Sequence, residues 1–211
     1  MKNQSEIINS DCNIAICGTH VVNDAIHVGI YWNLENEQEI IHFLNGNKIP
    51  VVNAKDACFV NYKFNEIQNF PEKLLPSLAA VAELISENKL NKLRFNREGV
   101  IYNGGKFEFN TGNFNASDVE KIMNCGVFVI ALLNTFEYKL LDWNSWPNQN
   151  NNNYLDDWLT SMNIPKEEWE LYYNQVKQIR GKHVIVCPST PTKPSPFSEA
   201  ENLANELIAS L

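Results

Sequence analysis

The sequence predicts an α+β fold in which an antiparallel sheet packs against a central helix carrying a cysteine at its N-terminus, with a helical C-terminal extension. Three observations carry this. Short β-branched and aromatic runs separated by polar turns fill the first third of the chain, apolar residues recur at helical spacing from Glu72 to Asn88, and the run "NCGVFVIALL" from Asn124 is apolar on nearly every face.

Residues 13–32, "NIAICGTHVVNDAIHVGIYW", read as two strands about a turn at Asn23-Asp24. "EIIHFL", Glu39 to Leu44, is a further strand after the polar turn "NLENEQ", and "IPVV" and "ACFVNYKF" extend the sheet. From Glu72 to Asn88 the positions Leu74, Leu75, Leu78, Ala82 and Ile85 share one helix face, and Pro71 and Pro76 stand where a helix start tolerates them. Residues 93–116, rich in Gly, Asn and aromatics, read as one or two short strands and a loop. Ser117 and Glu120 fit a capping box for a short turn, and a long buried helix is expected from Cys125 to Trp143.

Beyond Trp143 the composition turns polar, "NSWPNQNNNNY". The expected organisation is a domain over 1–143, an Asn-rich linker over 144–153 and a mainly helical extension over 154–211, packed on or beside the domain. In the extension two helical patterns break at Pro165, with Trp158, Leu159, Trp169, Tyr172 and Val176 as the apolar face. "HVIVC" reads as a strand, "PSTPTKPSPF" as an extended piece and "SEAENLANELIASL" as an amphipathic last helix. Its aromatic residues suit either a cap packed on the sheet or a surface that binds substrate or partner.

Composition bounds the function. With 17 Lys+Arg against 25 Asp+Glu the chain carries a formal charge of -8 and no basic cluster, which argues against a nucleic-acid partner. The longest uncharged apolar stretch, Val127 to Leu133, is too short to span a bilayer, and the N-terminal residues lack an apolar leader. A soluble, cytoplasmic protein is expected, with signal-less export as an effector the variant. Five cysteines, Cys12, Cys17, Cys58, Cys125 and Cys187, are odd in number and scattered, so reduced thiols are expected, with neither metal nor cofactor.

Cys125 at the first turn of a helix meets the positive end of the helix dipole and free backbone N–H groups, which favour a thiolate nucleophile; a buried structural thiol is the alternative. A nucleophile needs a base, and the base needs an orienting partner. His27 and His42 lie in adjacent predicted strands, and pairing about a turn at 34–35 sets both rings on one sheet face. His20 near Cys17 is weaker, because strand neighbours two to three apart point awkwardly for that role. His183 and Cys187, read on one strand, are assigned to packing, and "NGNK" and "YNGGKF" are turns without the spacing of a phosphate loop.

The succession "IHVGIYW", "EIIHF" and "NCGVFVIALL", over about residues 11–143, resembles the circularly permuted NlpC-type papain-like fold, which includes the lecithin:retinol acyltransferase-like and bacterial YiiX-like cysteine hydrolases. The resemblance implies a papain-like fold with Cys125 as nucleophile, His27 as general base, His42 as orienting residue and the Cys125 N–H in the oxyanion site. It implies amide hydrolysis of a short peptide or peptidoglycan fragment through a thioester, with an acyl substrate as the family's other option. The chain departs from the acyltransferase branch in having Gly126-Val127 where that branch has Glu-His after the cysteine, and in lacking its membrane-spanning tail. Related enzymes place an aromatic hydroxyl near the oxyanion, for which Tyr31 and Tyr102 are the candidates. The alternative function is a non-catalytic interaction or immunity-like protein on the same scaffold.

Overall fold

Period-two alternation in the first 66 residues builds a six-stranded sheet from β1 (Lys2–Asn3), β2 (Ile14–His20), β3 (Ile26–Leu34), β4 (Glu37–His42), β5 (Val51–Asn53) and β6 (Lys63–Glu66). The strand order is β1-β6-β2-β3-β4-β5, with every pairing antiparallel. The computed structural model describes all residues except 22–24, 45–46, 89–92, 96–101, 103, 117–120, 149–155, 158, 161–162, 176, 178 and 210–211. The expected turn at Asn23-Asp24 and the capping box of Ser117 and Glu120 therefore fall outside the described residues.

β3 and β4 close through a two-residue turn whose Glu35 and Asn36 hold φ of 52° and 70°, the left-handed pair that matches the right-handed twist of the flanking strands. Alternation sends Ile14, Ile16, Val28, Ile30, Trp32 and Ile41 to one face and Ala15, Cys17, Tyr31, Ile40 and Phe64 to the other. The first face is covered by α2 (Leu75–Glu87), α3 (Cys125–Thr135) and α5 (Gly181–Val186), with α6 (Phe197–Ala209) packed on α5. The second face is covered by α1 (Gln4–Ile8) and a 3-10 turn at Ala57–Phe59. α1 went unread in the sequence although its capping box is complete, Asn3 Oδ1 accepting from the Glu6 N–H and Glu6 Oε2 accepting from the Asn3 N–H. Short strands β7 (Arg94–Phe95) and β10 (Ile122–Met123) pair in parallel, and β8 (Lys106–Phe107) pairs antiparallel with β9 (Phe114–Asn115).

Three expectations are corrected. The cysteine-bearing helix stops at Thr135 instead of Trp143, because Glu137 turns left-handed at φ 60° and the Tyr138 N–H folds back on the Leu133 carbonyl at 3.2 Å, a C-terminal closure made without glycine. "HVIVC" is helix α5 running into a 3-10 turn at Cys187–Ser189, not a strand; a short run of buried β-branched residues has no period that separates the two. "ACFVNYKF" splits into the 3-10 turn and β6.

In the segment 144–153, residues 144–148 are described and include Trp146, 1% exposed, with its ring against His183 and Phe197. Further on, α4 (Trp169–Gln175) and Leu159 form a small separate cluster with Ile164, Trp169, Tyr172 and Tyr173, while Trp158 and Val176 lie outside the described residues. No described helix is long and apolar enough to cross a membrane.

Candidate active site

The β3–β4 register places Gly29 opposite His42, with His27 two residues back on the same face. The two histidines therefore meet diagonally, one step away from the direct pairing expected about a turn at 34–35. A Cβ at Gly29 would lie 2.6 Å from the Ile41 carbonyl oxygen and 2.9 Å from the His42 Cβ, so glycine is what lets the strands close here. Nε2 of His27 stands 3.0 Å from Nδ1 of His42, and the rings tilt at 56°. Burial pushes both imidazoles down to about 4, His42 also through the charge of His27. Near neutral pH the pair is uncharged, one nitrogen donating and the other accepting.

Cys125 opens α3. Asn124, in extended conformation, caps the helix by accepting the Val127 N–H at 2.9 Å, and its amide donates to the Ile179 carbonyl at 2.8 Å. The backbone amides of Val28, the residue after His27, and of Gly126 and Cys125 at the helix start pull the thiol downward. Burial is nevertheless the dominant influence on Cys125, which is 7% exposed, and it raises the thiol above the ordinary value against the pull of the three amides. Desolvation thus works against the thiolate that the helix terminus favours. No hydrogen bond joins the sulfur to either imidazole: His27 and His42 alternate onto the face of Tyr31 and Ile40, His42 against Phe59, whereas α3 covers the other face. His27 spends Nε2 on His42, leaving Nδ1, the nitrogen nearer the backbone, unspent.

The C-terminal segment walls the cysteine. Gly181, first residue of α5, passes so close to β3 that a Cβ there would come within 1.9 Å of the Ile26 carbonyl oxygen, and Val184 and Ile179 lie against Gly126. His183 ties α5 to α6, its Nε2 2.5 Å from Glu201 Oε2 and its ring between Trp146 and Phe197. Sequence reasoning gave this segment no place at the site. The available signal was Gly181 just ahead of an apolar run, a residue that admits close backbone approach.

Of the tyrosines expected near the oxyanion, Tyr102 donates to the Gly105 carbonyl and accepts from Asn134 at the opposite end of α3 from Cys125. Tyr31 is four residues along β3 from His27, beside Gln38 and Cys12. Tyr62, unread in the sequence, is the phenol nearest this chain of rings. Burial raises it first, then the fields of Cys17, Cys58 and Cys125, and its ring stacks edge-on against Phe59, which in turn lies against His42.

The remaining residues do not join the site. His20 is exposed at the end of β2 while Cys17 is fully buried, and Cys187 donates its thiol to the His183 carbonyl one helical turn back. Among the described residues no three His, Cys, Asp or Glu side chains gather as a metal site. Cavities of about 510 and 500 Å³ among the described residues lie away from Cys125, His27 and His42. The sequence matches no protein-family model and no curated protein, and the fold matches no solved structure.

Proposed function

We propose that this chain is a cysteine hydrolase or acyltransferase of permuted papain-like fold, acting through Cys125, His27 and His42, with hydrolysis of an amide in a peptide or peptidoglycan-like fragment as its reaction. The observation that supports this reading is the His27–His42 hydrogen bond on the β3–β4 hairpin, the sheet hairpin against which the cysteine-bearing helix α3 packs.

In this reading His27 carries its proton on Nε2 and donates it to Nδ1 of His42, which fixes the tautomer with Nδ1 free to accept. The reading requires that the Cys125 thiol, borne by the helix on the other sheet face, reach that Nδ1 and give it its proton as sulfur attacks the carbonyl carbon. Because burial disfavours both charged partners, proton transfer accompanies attack and no stable ion pair precedes it. The oxyanion that forms is met by the N–H groups of Cys125 and Gly126. The imidazolium then protonates the departing amine, leaving a thioester. Water, deprotonated by His27, attacks the thioester; the acid leaves and the thiol is restored.

Cys125→Ala is expected to fold and to lose turnover of peptide, ester and thioester substrates that the wild type cleaves. A second reading, a non-catalytic interaction protein on the same scaffold, is favoured by the burial of the Cys125 thiol. Under it, wild type and Cys125→Ala turn over such substrates equally or not at all.

A further inference from the structure

The end of β2, the start of β3 and the first residue of β6 meet the last turns of α6 around the cavity of about 500 Å³, a volume within the range of small-molecule sites. Its floor is aliphatic, formed by Ile26, Ile185, Leu207 and Ile208, and among the described residues no Phe, Tyr or Trp lines it. Its rim carries His20 and Lys63, and among the described residues no Asp or Glu lines it, in a chain whose net charge is -8. Among the described residues neither His20 nor Lys63 makes a salt bridge or a side-chain hydrogen bond.

An aliphatic floor without rings gives no platform for a base or sugar to stack on, and it suits a saturated hydrocarbon body. Two unpaired basic side chains at one end suit a carboxylate. We propose that this groove binds an aliphatic carboxylate, with the carboxylate on Lys63 and His20 and the hydrocarbon on Ile26, Ile185, Leu207 and Ile208. The site stands independently of what Cys125 does. Two sources share this chemistry: the C-terminal residue of a peptide ending in Leu, Ile or Val, and a free aliphatic acid.

The test is an amide NMR titration of the full chain with N-acetyl-leucine and with octanoate, each beside its uncharged amide. The carboxylates are expected to move the resonances of Gly18, Thr19, Lys63 and Ile185, and to bind about tenfold or more tightly than the amides, as a charge-assisted hydrogen bond supplies. Lys63→Gln, on an exposed side chain, should abolish that preference while leaving the spectrum of the free protein folded. A response to N-acetyl-leucine alone assigns the groove to peptide termini, and to octanoate alone to free acids. Equal binding of acid and amide, shifts confined to other residues, or a preference that survives Lys63→Gln would overturn the proposal.

Discussion

His27 and His42 share a hydrogen bond of 3.0 Å across a hairpin whose closest backbone approach is made by Gly29. A methyl group at position 29 would press on the Ile41 carbonyl and on the His42 side chain itself. Gly29→Ala is therefore expected to cost about 1–3 kcal/mol, the usual range for overpacking, and to part the two rings. Imidazole ¹⁵N shifts report the tautomers directly. Unchanged shifts in a folded Gly29→Ala protein would mean the pairing does not depend on that glycine.

A pH dependence of stability follows from the buried imidazoles. His27, His42 and His183 are each held down to about 4 by burial, against an ordinary value of 6.5, so the unfolded chain binds more protons between those limits. Their contribution is fully present above about 6.5 and is lost as pH falls toward 4. Each uncoupled histidine steepens the loss by about 1.4 kcal/mol per pH unit. Urea unfolding at several pH values should show this decline, and His183→Gln should reduce its slope. A flat profile between pH 6.5 and 4 would contradict neutral burial of these rings.

The hairpin was legible because strand alternation and a short polar turn are local signals: His27 and His42 alternate with apolar residues, and Glu35-Asn36 is a compact left-handed turn. What surrounds Cys125 was not legible, because it is assembled from afar. Ile179 and Val184 reach Gly126 across more than fifty residues of chain, and no pattern at either place names the other. The thiol's environment failed for the same reason. A helix N-terminus is visible in sequence as Asn124-Cys125, whereas the desolvation that overrules it depends on α5 arriving over β3.

Asn124 links these distant parts. Asn124→Ala removes the cap on Val127, worth about 1 kcal/mol, and strands the Ile179 carbonyl, worth about 1–3 kcal/mol more. Asn124→Asp restores an acceptor for the cap but no donor for Ile179, so it should recover only the smaller part. Denaturant midpoints that are equal for the Asp variant and the wild type would show that the bond to Ile179 contributes nothing.

Cysteine reactivity tests the resting state of the site. Cys58 is the exposed thiol, while Cys12, Cys17, Cys125 and Cys187 are buried and each is raised by desolvation. Alkylation of the free protein should label Cys58 first, and a Cys58→Ser background leaves the Cys125 rate readable by peptide mass. That rate should be slow and still climbing above the ordinary thiol value of 9.0, since the thiolate fraction grows only there. His27→Ala should raise the rate by opening access without moving the profile along the pH axis, because the neutral imidazole supplies no charge to the resting thiol. A plateau already reached at about pH 6–7, displaced upward by His27→Ala, would instead mean that a thiolate–imidazolium pair exists before substrate arrives, and that the three amides around the sulfur overcome its burial.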